Sequence, residues 1–120
     1  MSAGDVCHIE FSTNDLAASR EFYEEIFGWT FQLLPGMENY ALFSTPDGVG
    51  GGLNGSERAE PPTDKGPIVH LEVADIEATL GKIMDKGGQT VLPKTKISDE
   101  FGYYAVFLDN VGNRFGLWSR

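Results

Sequence analysis

Val6-Cys7-His8-Ile9-Glu10-Phe11 and Ile68-Val69-His70-Leu71-Glu72-Val73 are two versions of one string, 62 residues apart. Each is followed by an acid and an aliphatic residue, Asp15-Leu16 and Asp75-Ile76, and then by an amphipathic stretch ending in glycine. Further on, Tyr40-Ala41-Leu42-Phe43 lies over Tyr104-Ala105-Val106-Phe107, and Gly48 over Gly112. The spacing drifts from 62 to 60 to 64, as happens when loops vary while elements persist. A period of about 60 residues is too long for a solenoid unit and points to two copies of one supersecondary module.

Each copy reads as a strand, a helix and three more strands. In the first, Asp15 is placed to N-cap a helix whose buried stripe is Leu16, Tyr23, Ile26 and Phe27, closed by Gly28. Strands are expected over 29–34, 40–44 and 49–53, separated by Pro35-Gly36 and Pro46-Asp47-Gly48 turns. In the second, a strand over 68–73 precedes a helix capped by Asp75 and ended by Gly87-Gly88. Strands over 89–92, 103–108 and 114–118 complete it. The expected organisation is one domain: a first βαβββ module over 1–53, a Gly/Pro-rich linker over 54–66 and a second module over 67–120.

Strand alternation assigns the faces. The apolar sets Cys7/Ile9/Phe11 and Val69/Leu71/Val73 belong against the helices, because burial there removes them from water. The opposite faces then carry His8/Glu10 and His70/Glu72, with Arg114 and Trp118 on the last strand. The resulting fold class is α+β: two βαβββ modules forming an open, curved sheet cup with helices on the outer face.

Composition closes off several classes. At 120 residues with 41% hydrophobic and 22% charged residues, the chain has the balance of one globular domain. Its net charge of −9 argues against nucleic acid and anionic membranes as partners. No run approaches the ~20 apolar residues of a membrane span. The start lacks the basic and apolar regions of a signal peptide, and the lone Cys7 fits a reducing, cytoplasmic setting. Gly50-x-Gly52-x-x-Gly55 matches a dinucleotide fingerprint, but Pro61-Pro62 follows where a helix is needed, so no nucleotide cofactor is expected.

The paired His-x-Glu openings, Phe22-Tyr23 with Phe27-Gly28-Trp29, and Ala105-Val106-Phe107-Leu108-Asp109 with Gly112-Asn113 and Phe115-Gly116-Leu117-Trp118 resemble the vicinal oxygen chelate superfamily. That superfamily includes glyoxalases, bleomycin-resistance proteins, methylmalonyl-CoA epimerases and extradiol dioxygenases. The resemblance covers nearly the whole chain and implies a divalent metal (Zn, Ni, Fe or Mn), with His8 and His70 as its first-strand ligands. It also implies a small-molecule ligand and a homodimer. Metal-using members carry a Glu on each fourth strand. The alignment puts Gly52 and Gly116 there, removing half of the ligands and the usual base.

The two histidines of the chain fall at matching places in the repeat, which is the main argument for a shared role. Glu10 and Glu72 share their face about 6.6 Å along the strand and are candidate general bases or stand-in metal ligands, or else carboxylates held by Arg114 or a tyrosine. Arg114 can grip an anionic group bidentately or merely neutralise those acids. Trp118, Tyr40 and Tyr104 are candidate ligand-binding side chains. Two functions stay open. One is a glyoxalase-like protein for a compact oxygenated metabolite, acting as a metal-dependent lyase or isomerase. The other is a non-catalytic module that sequesters a small molecule or antibiotic.

Overall fold

The computed structural model describes residues 2–56 and 65–120, so most of the expected linker, 57–64, lies outside the described residues. The chain divides into two compact units, Met1–Pro61 and Pro62–Arg120. No helix among the described residues is long and apolar enough to cross a membrane.

Unit 1 runs β1 (Ile9–Ser12), α1 (Leu16–Phe27), β2 (Thr30–Leu33), β3 (Tyr40–Ser44) and β4 (Gly51–Asn54). Its sheet is ordered β1-β4-β3-β2, with β1 parallel to β4 and the other pairs antiparallel. Unit 2 repeats this as β5 (Val69–Glu72), α2 (Ile76–Asp85), β6 (Gln89–Ser98), β7 (Gly102–Leu108) and β8 (Arg114–Ser119), ordered β5-β8-β7-β6. Two βαβββ modules are therefore present.

The helix starts are where the acids predict them. Asp15 accepts from the Ala18 N–H at 3.0 Å and Asp75 from the Ala78 N–H at 3.0 Å. Gly28 ends α1 with φ 70°, a left-handed conformation that costs glycine nothing. The buried stripe of α1 is rotated from the expected one. Ser19, Phe22 and Tyr23 are buried, whereas Leu16, Ile26 and Phe27 are only half-buried. The cause is an aromatic core: Tyr23 stacks on Trp29 at 4.4 Å, and Trp29 stacks on Phe43 at 4.4 Å. Phe11 meets Tyr23 edge-on at 5.4 Å. Flat rings stacked this way are worth about 1 kcal/mol per pair beyond their burial, and α1 turns to present Tyr23 to them.

Cys7 is exposed and precedes β1, so it is not the core residue that alternation suggested. The alternation holds only from Ile9, where pairing begins. In unit 2, Ile76, Leu80 and Ile83 are buried on α2, and Phe107, Phe115 and Leu117 are buried on the sheet. Strand β6 extends to Ser98, well past the expected end at 92. It runs through Pro93 because β6 is an edge strand and breaks register between Leu92 and Thr95, so a missing N–H is tolerated there.

The β7–β8 turn is organised by a buried acid. Asp109 is 3% exposed and accepts from the Val111 N–H (3.0 Å), the Asn113 N–H (2.8 Å) and the Asn113 Nδ2 (3.1 Å). Asp109→Ala is expected to cost about 2–3 kcal/mol in urea unfolding, because buried donors lose their acceptor. A loss under about 0.5 kcal/mol would show that water replaces the carboxylate.

Candidate functional site

The sheet register decides which polar residues correspond. In unit 1, Glu10 lies opposite Gly52, and Gly52 opposite Leu42. In unit 2, His70 lies opposite Gly116, and Gly116 opposite Val106. The β3/β4 and β7/β8 strands thus keep the predicted 64-residue spacing, with Gly52 over Gly116 and Tyr40 over Tyr104. The first strands do not keep 62. Glu10 is the counterpart of His70, and Ser12 of Glu72, a spacing of 60 shared with the caps Asp15 and Asp75. His8 stands one residue ahead of β1, over Ile68. The two histidines are therefore not equivalent in the fold. A two-residue slip preserves which face a side chain occupies, so the face assignment survives while the correspondence fails.

In unit 1 the structure brings three of the candidate residues together. His8 Nε2 and the Tyr40 hydroxyl are 2.9 Å apart. Tyr40 also hydrogen-bonds Glu10; burial first, then that bond and the negative charge of Glu10, push the phenol up to about 12. Tyr40 is thus held neutral at physiological pH. Asn54, placed in the linker by the sequence but in fact the last residue of β4, donates to Glu10 at 3.4 Å.

What positions Tyr40 is Gly52. The three atoms nearest to a Cβ built at Gly52 all belong to the Tyr40 ring and hydroxyl, which fill the space a side chain there would need. The phenol therefore stands where a fourth-strand carboxylate would begin. Beside it is a hollow of about 400 Å³ lined by His8, Thr30, Gln32, Leu42 and Ser44, with Phe31, Phe43 and Gly51 on the same strands. Thr30, Gln32 and Ser44 escaped the sequence reading. The signal was there, since Thr30 and Gln32 alternate with Phe31 and Leu33 along β2.

Unit 2 is arranged differently. The His70 ring lies across Gly116, where an added Cβ would fall 2.8 Å from its Cγ. Trp118 Nε1 donates to the Phe101 carbonyl at 2.7 Å, and the Arg120 guanidinium lies 5.5 Å from its ring. Tyr104 pairs with Trp118 across β7–β8, next to Glu72 on β5. Arg114 begins β8, half-buried.

A family-implied metal needs a set of convergent donors. Among the described residues no group of three or more His, Cys, Asp or Glu side chains could hold an ion. Neither fourth strand offers a carboxylate at Gly52 or Gly116, and each vacancy is filled by a ring. The residues present do not fit the two-His, two-carboxylate pattern.

The two-module βαβββ fold is shared with solved structures of glyoxalase/bleomycin-resistance proteins, and the sequence comparisons find a likeness of the same kind. Residues 6–46 match the family described as "Bleomycin resistance protein-like N-terminal". CFP32 of Mycobacterium tuberculosis, which carries a provisional glyoxylase name, is 27% identical over 115 residues. That match takes in 92% of this chain and 44% of CFP32, so the chain spans less than half of that relative. A glyoxalase/bleomycin resistance protein/dioxygenase family enzyme from Burkholderia phytofirmans superposes with TM-score 0.76 at 18% identity, covering 97% of this chain and 98% of that one. The fosfomycin resistance protein FosX of Listeria monocytogenes, complexed with Mn(II) and sulfate, gives TM-score 0.76 at 15% identity, covering 98% and 91%. Residues 6–46 thus resemble a bleomycin-resistance type of sequence, and the whole chain shares the fold of these solved structures.

Proposed function

We propose that the helix-free face of the first sheet is a small-molecule binding site that works through hydrogen bonds, without a resident divalent ion. The observation that carries this is the Tyr40 phenol seated over Gly52 and bonded to His8. It fills the fourth-strand position with a neutral group that is a poor ligand for a hard cation, and it engages one of the two His8 nitrogens. The adjoining hollow supplies hydroxyls, an amide and an apolar floor, the mixture that orients a compact organic ligand.

A second reading, a proton-transferring lyase or isomerase, is favoured by the Glu10–Tyr40–His8 chain itself. An imidazole tied through a phenol to a carboxylate is oriented as a base for an acidic C–H or O–H. In that reading His8 receives the proton and Glu10 stabilises the imidazolium through Tyr40. No step passes through a metal.

Protein purified without a histidine tag is expected to hold less than about a tenth of an equivalent of Mn, Fe, Ni or Zn. Organic ligands found by thermal-shift screening are expected to raise the melting temperature by about 2–5 °C, with or without EDTA. A stoichiometric metal that disappears in His8→Ala would overturn the metal-free reading. Turnover of a dicarbonyl substrate by metal-free protein would select the second.

A further inference from the structure

We propose that His8 meets its ligand as a hydrogen-bond acceptor through Nδ1, so that the hollow takes uncharged or cationic compounds bearing an O–H or N–H donor and turns away carboxylates and phosphates. This rests on the small-molecule binding reading and adds the ligand's chemistry to it.

The argument follows one proton. Tyr40 has a single hydroxyl hydrogen, and Glu10 as a carboxylate can only accept, so the phenol donates to Glu10. The Tyr40 oxygen must then accept from its other partner, which is His8 Nε2 at 2.9 Å. Nε2 accordingly carries the proton of the neutral imidazole and Nδ1 is bare. With Nε2 held by Tyr40, Nδ1 is the ring position left for a ligand, and a bare nitrogen needs a donor. Gly52 is what permits this: any side chain there would displace the phenol that orders the chain.

Charge points the same way. Among the described residues no cation lines the hollow. The only basic residue among the described residues 2–56 is Arg20. It sits 3.6 Å from Glu24 and over the Phe31 ring at 5.9 Å, on the helix-bearing face. Residues 1–60 carry ten acids and two bases, and Glu10 stands two residues from His8 on the same face. Among the described residues of unit 1, an anionic ligand would meet the negative charge of Glu10 and no counter-charge at the hollow, whereas an ammonium group would be welcomed.

Two measurements on the intact chain test this, both at about pH 8.5 so that imidazole is neutral. Long-range 1H–15N spectra read the tautomer directly, with His8 distinguished from His70 by the His70→Gln variant. Nε2–H at His8 is expected; Nδ1–H would overturn the inference and leave the binding reading standing. Phenol, anisole and benzoate are then titrated against labelled protein, following the amide signals of Thr30, Gln32 and Ser44. Phenol is expected to bind about tenfold more tightly than anisole, which lacks only the donor, and benzoate no better than anisole. Equal binding of phenol and anisole, or preference for benzoate, overturns the inference alone. Silence from all three probes removes the binding reading as well. In Tyr40→Phe the phenol advantage should fall below about threefold with anisole unchanged, and an undiminished advantage would deny Tyr40 its positioning role.

Discussion

Gly51→Ala is expected to lower the unfolding free energy by about 3 kcal/mol in urea, the largest stability loss from any single methyl in unit 1. Gly51 is buried in β4 between β1 and β3, opposite Ile9 and Phe43. A Cβ there would collide with the Ile9 carbonyl oxygen and lie 2.8 Å from Cζ of Phe43. A carbonyl in a parallel ladder cannot yield without breaking the β1–β4 pairing, and Phe43 is held by Trp29 stacked at 4.4 Å. Gly81→Ala is the control. Gly81 is exposed in α2 with open space around its Cβ, and alanine there should stabilise by about 0.5–1 kcal/mol through helix propensity. If the two variants unfold alike, the close approach of β1 to β4 is not what holds the sheet.

Much of this fold could be read from the chain because its signals were local and doubled. Asp15 and Asp75 each precede an amphipathic stretch, and both cap helices. Strand alternation placed His8, Glu10, His70 and Glu72 on the faces opposite the helices, and period-two patterning depends on no distant contact. The errors came where a distant contact decides. The rotation of α1 towards Phe22 and Tyr23 follows from rings contributed by Trp29, Phe43 and Phe11, three separate strands or their approaches. The length of β6 follows from its place at an edge, where Pro93 is harmless.

The site was half legible for a related reason. The string His-x-Glu repeats at 62 residues, but hydrogen-bonded pairing and the helix caps repeat at 60. Similar letters outvoted the caps because a two-residue slip leaves every side chain on the same face. Tyr40 was a candidate as a strand aromatic matched to Tyr104 in the repeat; its role depends on the absence of a side chain at Gly52, across β3–β4, which no local pattern announces. Glycine at 52 looked like a lost ligand. In the fold it is the space that a phenol uses.

Gly52→Glu is accordingly expected to abolish the site while sparing the fold, the reverse of its neighbour. A side chain at 52 points to the opposite face from one at 51, and the three atoms nearest to its Cβ all belong to Tyr40. Those atoms are the far end of a half-buried ring that can swing away, whereas the obstruction at 51 is backbone. The cost in urea unfolding should be about 1 kcal/mol, well under that of Gly51→Ala. The displaced phenol can no longer hold His8, and a second carboxylate beside Glu10 adds like charge to the face. Phenol binding should weaken about 30-fold or more, and the His8 ring should lose its single ordered tautomer. Gly52→Ala should show the same pattern with a smaller loss, since it displaces the ring without adding charge. If Gly52→Glu binds phenol as the parent chain does, the Tyr40–His8 contact is not what shapes the hollow, whatever the stability measurement returns.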